Sequence, residues 1–199
     1  MKIEIPGPAG PIEAELDDAN DGSGSFAVLC HPHPQYGGTM HDAVLSVLGR
    51  ALAGAGVGCL RFNFRGVGGS AGAHDGKGGE VEDLLAVERW LRQEHSPAHL
   101  ILGGYSFGAA VAWQALTSLA PPDQMILIAP PVSFMPSTRR PVGFRLDVFA
   151  GDADQFVDAA ALNVLGDAGI HIIPGADHFF GGKWGDLAAG IEQVLQPAG

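Results

Sequence analysis

The sequence predicts an α/β protein, a mostly parallel central sheet flanked by helices, and three observations lead to that class. Short apolar runs of strand length alternate with longer stretches whose apolar residues recur at helical spacing. Gly- and Pro-rich loops mark nearly every boundary between them. Residues capable of chemistry recur just after the strand-like runs, the edge where α/β sheets gather their sites.

"KIEIPG" and "PIEAEL" read as an N-terminal strand pair around a Pro/Gly turn. "SFAVLCHPHP" is a buried strand stopped by two prolines, which cannot continue a ladder. Val44, Leu45, Val47, Leu48 and Leu52 share one helical face, ended by "GAGVG". "VGCLRFNF" is the next strand, followed by the loop "RGVGGSAGAHDGKGG" and a helix marked by Val81, Leu84, Leu85, Val87 and Leu91. Then come the strand "HLILGG", the helix "AAVAWQALTSL", and the strands "QMILIAP" and "RLDVFAG". A short helix "DAAALNVLGDAG", the strand "IHIIPG" and a last helix through "GDLAAGIEQVLQ" complete the chain. Strands alternating with helices imply parallel pairing with both sheet faces covered.

At 199 residues, with 46% hydrophobic and 17% charged residues, the chain is expected to fold as a single domain, residues 1–199, around a sizeable core. A net charge of −11 argues against nucleic acid and anionic membranes as partners, because both bind through Lys and Arg. Part of that charge, Glu4, Glu13, Glu15, Asp17, Asp18 and Asp21 against Lys2, reads as a solvated hairpin face. Cys30 and Cys59 lie in or at the end of strands and read as buried, reduced thiols. The N-terminus has no apolar signal core, and no apolar run approaches the ~18 residues of a membrane span. A soluble cytoplasmic protein, monomer or homodimer, is the expectation.

Gly104, Ser106 and Gly108 form G-x-S-x-G between a strand and a helix. A serine hydroxyl becomes a useful nucleophile when a histidine removes its proton, and the histidine needs an acid to fix its tautomer. On a strand-to-helix elbow, the flanking glycines allow close approach and the next residue's N–H faces the oxyanion, which selects Phe107 as one donor. In this architecture the acid and base follow the serine in that order. His178 follows the last strand in a Gly-Ala-Asp-His turn and takes the base position; His41, His74, His95, His99 and His171 read as structural or surface residues. The acid candidates are Asp152, Asp154 and Asp177.

In this order, "HPHPQYGGTM", "RFNFRGVGGSAG", "GYSFG", "GDADQFV" and "GADHFF" resemble the α/β-hydrolase superfamily over nearly the whole chain. More narrowly, they resemble its small lid-less bacterial members, a group related to dienelactone hydrolases and carboxylesterases. The resemblance implies the α/β-hydrolase fold with no lid domain, and a serine hydrolase that cleaves small-molecule carboxylic esters without a cofactor or metal. Gly151, Asp154 and Val157 match its G-x-x-D-x-x-V pattern, so the acid falls on Asp154. Asp152 is then a turn residue, and Asp177 a structural neighbour of the base. The family's second oxyanion donor follows a His-Gly pair; here Pro32 replaces that glycine, and register selects the His33 N–H. His31 is expected to brace the loop. The same residues would serve a thioesterase or a lactone hydrolase, or persist in a binding protein on this fold.

Two rival motifs carry less. Gly66, Gly68 and Ala71 spell a dinucleotide-type turn, but more Gly-rich loop intervenes before the helix, and Lys77 lacks the spacing of a P-loop. His31-x-His33 suggests a zinc pair, without a clear further ligand set. Residues 129–144, with Pro130, Pro131, Pro136 and Pro141, leave no place for a lid helix. Together with the polar loop from Gly66 to Gly79, they predict an open, shallow site suited to short acyl groups, acetate through butyrate.

Overall fold

The computed structural model describes residues 1–18, 22, 24–135 and 143–196. Eight strands form one sheet: β1 (Lys2–Gly7), β2 (Gly10–Asp17), β3 (Ser25–Cys30), β4 (Gly58–Phe62), β5 (His99–Tyr105), β6 (Gln124–Ile128), β7 (Arg145–Gly151) and β8 (Gly169–Ile173). Their order is β1-β2-β4-β3-β5-β6-β7-β8. β1 and β2 make the expected hairpin, and β2 joins β4 antiparallel. From β4 to β8 every neighbouring pair is parallel.

Among the described residues four α-helices cover the sheet: α1 (Ala43–Gly54), α2 (Gly79–His95), α3 (Phe107–Ala115) and α4 (Trp184–Leu195). Asp42 starts α1 by accepting hydrogen bonds from the Val44 and Leu45 N–H groups. α2 carries Glu80 and Glu82 in its first turn and Arg92 and His95 in its last, charges that suit its dipole. α1 packs against α4, and α2 against α3. The direction in which strands are added to the sheet reverses between β3 and β5, because β3 leads outward to β4 and β4 returns past it to β5. The crevice beyond the carboxyl ends of β3 and β5 is therefore the topological switch point, where ligands bind in such sheets.

Two expected helices differ in detail. Residues 159–165 form a 3-10 turn closed by Gly166 at φ 75°, because so few residues between two loops cannot offset the cost of nucleating an α-helix. α3 starts two residues earlier than its apolar pattern suggested and ends at Ala115, where the Thr117 and Ser118 N–H groups make tighter bonds to Gln114 O and Ala115 O. Between β6 and β7 the described residues hold one 3-10 turn, Val132–Phe134. Pro136 and Pro141 lie outside the described residues. No described helix is long and apolar enough to cross a membrane.

Cys30 and Cys59 are free and buried. Burial raises both thiols, that of Cys59 to about 12, which suppresses the reactive thiolate. Both are expected to react with a thiol reagent in the native protein at least a hundredfold more slowly than in urea, roughly the scale set by the lost thiolate. A stopped-flow time course that labels both at the denatured rate would contradict this packing.

Candidate active site

The turn from β5 into α3 takes place at one residue. Ser106 has φ 52° and ψ −118°, a strained conformation for a non-glycine side chain. The Ser106 N–H donates to Ile128 O at the end of β6, which holds the turn against the sheet. A Cβ on Gly104 would stand 2.6 Å from Gly108 O, and one on Gly108 would stand 2.2 Å from Cys30 O. Both positions thus demand glycine for strand and helix to pass this closely. Phe107 opens α3, so its N–H has no acceptor within the helix.

Across the sheet edge, His178 stands over the serine. Its Nε2 is 3.0 Å from Ser106 Oγ, and its Nδ1 is 2.8 Å from Asp154 Oδ2. The Asp154 side chain is fully buried, and its Oδ1 accepts hydrogen bonds from the Phe156 and Val157 N–H groups. The carboxylate is acceptor-only, so Nδ1 carries the hydrogen and Nε2 is left to take one from the serine. A hydroxyl in such a chain can be deprotonated as it attacks an electrophilic carbon.

The other acid candidates have different work. Asp152 accepts from the Gly175 N–H at 2.6 Å, tying the loop after β7 to the loop after β8. Asp177 accepts from the Phe179 and Gly181 N–H groups and shapes the turn around His178. The buried Tyr105 hydroxyl donates to His178 O at 3.0 Å. No local pattern in the sequence marks this brace.

His31 and His33 diverge. His31 accepts the Phe64 N–H at Nε2, 3.0 Å, and donates from Nδ1 to Pro32 O, 2.6 Å. Both nitrogens are occupied, so His31 ties the loops after β3 and β4 together and is no free ligand. Among the described residues no group of three or more His, Cys, Asp or Glu side chains is arranged to hold a metal. His33 lines the cleft with Ser106 and Phe107, its ring centroid 4.6 Å from that of Phe107. Arg65, at the same sheet edge in sequence, instead turns inward and makes a buried two-pronged pair with Asp83. Of the remaining histidines, His171 rests on Asp147, His95 is half-buried against Phe26 and Trp90, and His99 is exposed.

The cleft encloses about 980 Å³. Its rim is aromatic: Tyr36, Phe134, Phe156 and Phe179 are 88%, 84%, 66% and 61% exposed. The site is therefore neither shallow nor short of apolar wall. Tyr36, Phe156 and Phe179 come from the loops after β3, β7 and β8, outside the segments that predicted a shallow site, whereas Phe134 comes from within one of them. A cleft of this size has room for groups larger than butyrate.

A family model described as the alpha/beta hydrolase fold matches residues 28–171. The chain belongs to the α/β-hydrolase family. It is 36% identical to an uncharacterized protein of Rickettsia prowazekii over 98% of this chain and 88% of the relative. Among solved structures it resembles a lid-less α/β serine hydrolase of Xanthomonas campestris, with 34% identity, a TM-score of 0.89, and coverage of 100% of this chain and 96% of the other. An α/β serine hydrolase homologue of Coxiella burnetii gives 34% identity, a TM-score of 0.90, and coverage of 98% and 97%. The hydrolase shares their fold, and among the described residues no lid helix stands between β6 and β7.

Burial pulls the His31 imidazole from its ordinary 6.5 down to about 4, so the folded hydrolase holds it neutral. The unfolded chain binds this proton below about 6.5 and the folded one only below about 4, so stability falls as pH drops through that window. The shift is equivalent to about 3 kcal/mol. Urea unfolding from pH 7 to pH 4 should show this loss. His31→Gln, which keeps a donor and an acceptor but cannot titrate, should show a shallower pH dependence by that amount.

Proposed function

We propose that this hydrolase cleaves carboxylic esters through an acyl-enzyme. The observation that carries the reading is the unbroken hydrogen-bonded chain from Ser106 Oγ through His178 to the buried Asp154 at an apolar cleft. In the proposed mechanism Ser106 attacks the ester carbonyl while His178 Nε2 takes its proton. Asp154 keeps the imidazole in the required tautomer and stabilises the imidazolium that forms. The N–H groups of Phe107 and His33 donate to the oxyanion. His33 is the one residue between Pro32 and Pro34 that has an N–H to offer.

Collapse of the tetrahedral intermediate expels the alcohol, protonated by His178, and leaves the acyl group on Ser106. A water molecule deprotonated by His178 then attacks the acyl-enzyme and releases the acid. No step calls on a cofactor. Thioesters and lactones are open to the same sequence of steps, and initial rates on matched ester, thioester and lactone substrates rank the three. A cytoplasmic setting fits the two buried thiols and the acidic surface.

Ser106→Ala should remove ester turnover and labelling by a fluorophosphonate while the circular dichroism spectrum stays unchanged. Turnover at the wild-type rate in purified variant would defeat the mechanism. Asp154→Asn should lower kcat by roughly 10³–10⁴, whereas Asp152→Asn, away from the imidazole, should lower it by about tenfold or less. Reversal of that ranking would move the acid to Asp152.

A further inference from the structure

A second histidine–carboxylate pair lines the same cleft. His74 Nδ1 is 2.6 Å from Glu80 Oε1, and the Glu80 side chain is only 2% exposed, in the first turn of α2. The carboxylate accepts, so the hydrogen lies on Nδ1 and the other nitrogen of His74 is left over. Holding the loop to α2 needs Nδ1 alone. A structural role therefore leaves Nε2 unexplained.

Beside it stands His33, its ring centroid 4.9 Å from that of His74. His33 Nδ1 accepts the Gln35 N–H, which puts the ring hydrogen on Nε2. Burial and the neighbouring His74 hold the His33 imidazole below its ordinary pKa, so it remains a neutral donor. Both rings line the cleft, and among the described residues neither Nε2 meets a protein hydrogen-bond partner. The wall thus presents a fixed donor next to a nitrogen that accepts when His74 is neutral and donates when it is charged.

A hydroxyl satisfies both nitrogens in either state, since it donates and accepts. A carboxylate satisfies them only when His74 is charged, and it would enter a cleft whose wall already carries Asp42 and Glu80, in a chain of net charge −11. The exposed rings of Tyr36, Phe156 and Phe179 add flat apolar surface for the C–H faces of such a ligand. We infer that the cleft selects esters bearing free hydroxyls near the scissile bond, with polyol and sugar esters as the class, and that His74, held by Glu80, determines this specificity. The inference rests on the ester-hydrolase reading above.

A site built to hydrogen-bond a hydroxyl discriminates against the analogue that lacks it. Glycerol 1-monobutyrate and propyl butyrate share an acyl group and differ in the hydroxyls of the alcohol. The wild type should favour the glycerol ester by roughly tenfold or more in kcat/KM. His74→Phe should bring that preference to within about threefold, chiefly by lowering turnover of the glycerol ester. His74→Ala, which removes the acceptor without a bulky ring, gives the same readout if the phenyl ring disturbs the loop. A wild type with no preference, variants that retain it, or a stronger preference for propyl hydrogen succinate that is lost with His74 would each overturn the proposal. Ser106-dependent hydrolysis of propyl butyrate tests the ester reading separately. If neither ester is cleaved, that reading fails, and NMR of the histidine rings in Ser106→Ala decides the hydroxyl site. Shifts of the His74 and His33 ring signals on adding the glycerol ester, but not the propyl ester, support it, and their absence overturns it.

Discussion

The close approach of α3 to the end of β3 governs where the rest of the cleft stands. At Gly108 the helix backbone lies so near the Cys30 carbonyl that a methyl group would not fit. The chain must therefore leave β5 in a single sharp step, and Ser106 absorbs that step in its left-handed conformation. The same contact brings the Phe107 N–H, at the head of α3, alongside the loop that carries His33. His31 fastens this loop from behind, since its two nitrogens bridge Pro32 O and the Phe64 N–H. A neutral, buried imidazole is suited to the task because it offers one donor and one acceptor along a fixed axis.

His178 and Asp154 are held by a different device. They sit on two loops after β7 and β8, and parallel pairing of these strands brings the loops side by side. Cross-ties then set their relative position: Asp152 to the Gly175 N–H, Tyr105 to His178 O, and Asp177 within its own turn. Each such bond contributes only about 1 kcal/mol net. Their combined effect is orientational, keeping an imidazole between a hydroxyl and a carboxylate without consuming either of its own nitrogens. Buried polar atoms elsewhere follow the same economy, and none among the described side chains lacks a partner.

The cleft divides into unlike parts. Tyr36, Phe134, Phe156 and Phe179 expose aromatic surface around its mouth, a pattern that marks a surface meant to be covered by a ligand. His33 and His74 bring polar groups to this otherwise apolar enclosure, which is how small-molecule sites fix the orientation of what they bind. Arg65, by contrast, is withdrawn from the cleft by Asp83, so a guanidinium at the sheet edge contributes stability and no charge to the ligand.

What the sequence by itself determined is whatever depends on local pattern. All eight strands follow from short apolar or alternating runs and the amphipathic helices from a period of 3.6 residues, both broken by Gly and Pro, and Ser106 is marked by its own glycines. His178 was legible from its place after the last strand, and Asp154 from the likeness of Gly151, Asp154 and Val157 to the family's G-x-x-D-x-x-V pattern; parallel topology brings both loops to a common edge. Contacts between side chains far apart in the chain have no such signature. That Asp152 reaches Gly175, that His31 reaches Phe64 and that Arg65 prefers Asp83 are distances created when strands and helices pack. The walls of the cleft were decided in the same way. Tyr36, Phe156 and Phe179 are single residues on loops that converge only after the sheet has formed, and a cavity is the space between elements, which no stretch of sequence contains.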